Sequence, residues 1–79
     1  MSEDVFLELV QQHQVGIYQH VLYLLDNQDD AKDVTQETFI KAWKHADELR
    51  SETIRSWLLK CANNLSIDLI RRRSTLLHL

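Results

Sequence analysis

A chain of 79 residues with one glycine, no proline and 44% hydrophobic side chains has room for one small core and lacks the turn punctuation of a many-stranded sheet. An all-α fold, a compact three-helix bundle, is the economical solution. The net charge of −3 hides an asymmetry: residues 1–54 carry 4 basic and 11 acidic side chains, a sum of −7, whereas residues 55–79 carry 5 and 1, a sum of +4. That imbalance points the C-terminal third toward nucleic acid.

Ser2 is positioned to cap a first helix running to about Leu25, with Phe6, Leu9, Val10, Ile17, Val21, Leu24 and Leu25 at helical spacing. Gly16 interrupts it and reads as a site of close helix packing. His13 and His20 stand seven apart, and two histidines make an incomplete metal site, so neither a metal nor a cofactor is expected. Asp26 to Asp29 form a polar turn of the length that joins antiparallel helices.

The stretch DDAKDVTQETFIKAW, Asp29 to Trp43, opens a second helix with Asp29 or Asp30 as its cap. At about 100° per residue, Ala31, Thr35, Thr38, Phe39, Ala42, Trp43 and Ala46 fall on a packing side. Asp33, Gln36, Glu37, Ile40 and Lys44 fall on the other, where an isoleucine amid polar groups suggests a docking face rather than a merely solvated one. His45 to Thr53 breaks the apolar rhythm and reads as a helix end, a loop and a new cap at Ser51 or Thr53.

A third helix from Ile54 to about Arg73 has an apolar stripe of Ile54, Trp57, Leu58, Cys61, Ala62, Leu65 and Leu69. Trp57 and Trp43 are both expected in the core. The opposite face carries Ser56, Lys60, Asn63, Asn64, Ile67 and Arg71, without an acid, and Arg72 and Arg73 extend it. Amides there can bond base edges and cations can bond phosphates, so specificity and affinity have separate carriers.

The runs DAKDVTQETFIKAW and IRSWLLKCANNLSIDLIRRR, in that order and at that separation, resemble region 2 of bacterial RNA polymerase sigma factors of the extracytoplasmic-function (ECF) group. The resemblance spans roughly Val5 to Arg73. It implies a region 2 domain over residues 1–73, with 74–79 beginning the linker to a helix-turn-helix domain that these residues do not include. It further implies docking of Asp33, Gln36, Glu37, Ile40 and Lys44 on the β′ clamp helices of the polymerase core, with Gln36 and Glu37 central. The implied DNA contacts, to the non-template strand of the promoter −10 element, are Arg50, Ser51, Glu52, Thr53, Arg55, Ser56, Lys60, Asn63, Asn64, Ile67, Arg71, Arg72 and Arg73. Where many family members have a longer, glycine-containing loop of the FRGESS kind, this chain has LRSET, in the segment that helps form the pocket for a flipped base. An anti-sigma factor is a further implied partner.

The competing reading is a helical adaptor that binds a partner helix through Ile40, Leu59, Ile67 and Ile70. No nucleophile set, phosphate loop or carboxylate pair supports an enzyme. Cys61, the single cysteine, cannot form an internal disulfide, the start MSEDVF is acidic where a signal peptide is basic, and no apolar run approaches ~18 residues, so a cytoplasmic protein without membrane insertion is expected.

Overall fold

The computed structural model describes residues 1–77, and among them the chain forms three α-helices: α1 (Glu3–Leu25), α2 (Gln28–Lys44) and α3 (Ile54–Leu77), with a short 3-10 turn at Ala46–Glu48. All three pairs of helices pack against each other. The expected all-α bundle is what the chain adopts.

Ser2 caps α1 as its position suggested, its hydroxyl accepting from the Val5 N–H at 3.3 Å. The turn that follows is tighter than the expected Asp26 to Asp29 segment. Asp26 takes a left-handed conformation (φ 50°) and its N–H donates to the Leu22 carbonyl at 2.8 Å, which closes α1 without a glycine. Asn27 then caps α2, its side-chain oxygen accepting from the Asp30 N–H at 3.0 Å. The cap is therefore Asn27 and not Asp29 or Asp30, because the helix begins at Gln28 and places both aspartates in its first turn. At the other end, the Trp57 N–H donates to the Thr53 carbonyl at 2.9 Å as α3 begins.

The core is built from Leu9, Ile17 and Val21 of α1, Ala31, Val34, Phe39 and Ala42 of α2, and Leu58 and Ala62 of α3. Two buried hydroxyls join it. Thr38 donates to the Val34 carbonyl and Ser66 to the Ala62 carbonyl, each at 2.8 Å, so both groups are satisfied by their own helix and leave small surfaces for close packing. Val34 and Ser66 lie outside the expected stripes.

Three expectations about packing are corrected. Trp43 is 44% exposed, because it follows the fully buried Ala42 by about 100° and so leaves the buried side of α2; its ring packs edge-on against Phe6, with centroids 5.0 Å apart. Leu24, 38% exposed, turns out of the α1 stripe, while Tyr18 and Leu22 pack against the core instead. Trp57, by contrast, packs against the core as expected, half-buried and with the His45 ring 6.1 Å away. At Gly16 the close neighbour is a side chain: a Cβ there would stand 3.6 Å from Arg55 Nη1, an ordinary contact distance.

Candidate functional site

Two surfaces carry the expected functional residues. On α2, Asp33, Gln36, Glu37, Ile40 and Lys44 are all exposed along one side, with Ile40 half-exposed at 50%. Between that side and α1 runs an open groove of about 810 Å³, lined by Phe6, Leu7, Val10, Phe39, Ile40 and Trp43. A second groove of about 700 Å³ along the same helix pair shares Gln14, Thr35 and Gln36 with it and continues past Val15, Tyr18 and Leu22. This exposed side of α2 thus adjoins an apolar channel to which α1 contributes half the wall.

The second surface runs from the loop after the 3-10 turn along α3. Arg50, Ser51, Glu52 and Thr53 are exposed in the loop, as are Arg55, Ser56, Lys60, Asn64, Ile67, Arg71, Arg72 and Arg73 on the helix. Arg55 folds its guanidinium back over Gly16 of α1. Two members are engaged by neighbouring helices. Asn63 is half-buried, its Oδ1 2.6 Å from Nε2 of His20 on α1. Arg73 makes a two-pronged ion pair with Asp30 on α2, at 2.5 and 2.9 Å, and that pairing holds the Asp30 carboxyl below its ordinary range, chiefly through the hydrogen bond. Arg73 therefore differs from Arg71 and Arg72, which have no ion-pair partner among the described residues.

Cys61 sits half-buried between α2 and α3. Desolvation pushes its thiol above the usual range, against a smaller opposing effect of Lys41, and so favours the neutral form.

Comparison with known proteins gives these surfaces a family. The sigma-70 region 2 model matches residues 9–75. This chain belongs to that family. Similar proteins include the ECF RNA polymerase sigma factor SigE of Mycolicibacterium smegmatis, 41% identical over 66 residues that cover 84% of this chain and 26% of that protein. The ECF RNA polymerase sigma factor SigW of Bacillus subtilis is 35% identical over 73 residues, 91% of this chain and 39% of that protein. The chain is a region 2 domain of the ECF type, and it spans between about a quarter and two fifths of the length of these relatives. No solved structure matches it. The family comprises non-catalytic transcription initiation factors.

Sequence spacing alone missed three features of this region 2 domain: the α1 wall of the groove, the His20–Asn63 bond and the Asp30–Arg73 pair. Leu7 and Val15, apolar residues off the α1 stripe, were the available signal for the first; they are 58% and 60% exposed. Of the apolar residues the adaptor reading requires, Ile40, Ile67 and Ile70 are exposed, but Leu59 packs against the core. No helix among the described residues is long and apolar enough to cross a membrane.

Proposed function

We propose that this domain is the promoter-recognition and promoter-melting module of an ECF sigma factor. It attaches to the β′ clamp helices of RNA polymerase core through the α2 side bearing Asp33, Gln36, Glu37, Ile40 and Lys44. It captures the non-template strand of the −10 element with the Leu49 to Thr53 loop and the polar side of α3. The observation that carries this reading is the separation of the two exposed surfaces: a side of α2 with two carboxylates, one amide and an apolar anchor, and a cationic side of α3 that carries amides.

Unpairing promoter bases costs a few kcal/mol, which contacts made only with the open strand must recover. Lys60, Arg71 and Arg72 supply backbone attraction, and the exposed Asn64 supplies a donor and an acceptor for a base edge. Docking on polymerase makes strand capture effectively intramolecular, so modest contacts suffice.

The test is a titration of a β′ clamp-helix fragment with the wild-type chain and with a Gln36→Ala, Glu37→Ala double variant. Both side chains are exposed, so stability should stay within ~0.5 kcal/mol of wild type while affinity falls. Equal affinities would remove this side of α2 from the interface.

A further inference from the structure

His20 and Asn63 tie α1 to the polar side of α3. Asn63 lies at the margin of the polar side of α3, one turn from Lys60 and Ile67 and next to Asn64. Its amide has one acceptor and one NH2 group, and a half-turn about its terminal torsion exchanges them at little cost when nothing holds the group. Here the oxygen is held: Oδ1 lies 2.6 Å from Nε2 of His20, 43 residues away on α1. With the carboxamide oxygen facing the imidazole, the contact calls for the tautomer in which Nε2 carries the proton and donates. The amide NH2 has no protein partner among the described residues, and it is not sealed off, since His13 Nδ1, elsewhere on α1, is the one buried side-chain atom among them without a hydrogen bond.

We infer that His20 is a positioning residue for promoter reading: it holds the Asn63 carboxamide so that the NH2 faces the captured strand, and Asn63 then selects guanine or thymine, whose exocyclic keto oxygen accepts where adenine and cytosine carry an amino donor. This rests on the proposed strand-binding role of α3. It adds a residue of α1, remote from the recognition loop in sequence, that sets the polarity of one contact without itself touching DNA.

The experiment selects from a randomised single-stranded DNA library with the 79-residue chain assembled on RNA polymerase core, reads the enriched sequences, and repeats the selection with His20→Ala, His20→Gln and Asn63→Ala. Wild type should enrich the keto bases guanine and thymine at one position that Asn63→Ala renders indifferent. His20→Ala should lower the preference at that same position by about fivefold, the loss expected when one oriented hydrogen bond becomes two interchangeable ones. His20→Gln, whose amide can donate to Asn63 Oδ1 but can equally accept from its NH2, should restore the preference only in part. Thermal melting of each variant separates a folding defect from loss of orientation, because a defect alone would lower recovery at every position and leave the pattern intact. An unchanged pattern in His20→Ala, or a wild-type preference for the amino bases adenine and cytosine at the Asn63 position, overturns the inference while leaving strand binding by α3 standing. A wild-type chain that enriches no sequence overturns both.

Discussion

At the scale of single residues, burial separates side chains that look equivalent in the sequence. Leu58 is fully buried where α3 meets the other helices, whereas Trp43, larger and equally apolar, leaves 44% of its surface in solvent and rests on Phe6. Truncating Leu58 to alanine removes packing on every side and opens a cavity, for a loss of ~3 kcal/mol; Trp43→Ala gives up one edge-on aromatic interaction and partial burial, for ~1 kcal/mol. Urea unfolding followed by far-ultraviolet circular dichroism ranks the two, and a Trp43 variant as unstable as the Leu58 variant would return the indole to the core. The sequence pattern placed Leu58 correctly because it is one of several apolar residues on a shared stripe. It misplaced Trp43 because residue type outweighed the turn of about 100° from Ala42. Ser66 was missed for the opposite reason: it reads as polar, yet its hydroxyl is satisfied by the Ala62 carbonyl and needs no water.

At the scale of elements, the helices and the cap at Ser2 were legible because they depend on local spacing. The interactions that distinguish one surface residue from another were not. His20 with Asn63 and Asp30 with Arg73 each join residues 43 apart, a separation that no helical periodicity reads. The second pair divides the basic end of α3. Arg71→Ala or Arg72→Ala should each flatten the salt dependence of single-strand binding by ~0.7 in slope, the value for one phosphate left without its cation. Arg73→Ala should change it less, since its charge already faces a carboxylate. A salt series of fluorescence-anisotropy titrations measures this, and three equal slopes would mean that the strand displaces Asp30. The same pair gives a pH signature. Asp30 has a folded-state value below its unfolded one of ~3.9, so its stabilisation is present above that value and is lost as pH falls through the depressed folded value. The stability difference between wild type and Asp30→Asn should therefore hold steady from pH 7 to about 5 and close at lower pH. Urea midpoints across that range check it, and a difference that widened on acidification would contradict the sign.

At the scale of the whole molecule, the bundle extends 45 Å along one axis and about half that along the others, 21 and 19 Å, a shape set by helices of 23 and 24 residues around a 17-residue partner. Because α2 is the shortest, α3 outlasts its support. The Asp30–Arg73 pair is the last cross-helix hydrogen bond along α3 among the described residues; beyond it Ser74, Thr75 and Leu76 are all exposed, with Leu76 at 70%. Residues 74–77 thus continue the helix where the family resemblance places the start of a linker, while His78 and Leu79 lie outside the described residues. A helical turn without packing partners adds little to stability, because its hydrogen bonds only just offset the backbone entropy of ordering it. Ending the chain after Arg73 should therefore shift the melting temperature by no more than about 2 °C, corresponding to a few tenths of a kcal/mol in a domain this small. Ending it before Arg73 should cost distinctly more, because Asp30 then loses its partner at the first turn of α2. Thermal melts of the two truncations beside the 79-residue chain decide whether the folded unit closes at this ion pair, and equal losses from both would place its boundary in the final turn of α3.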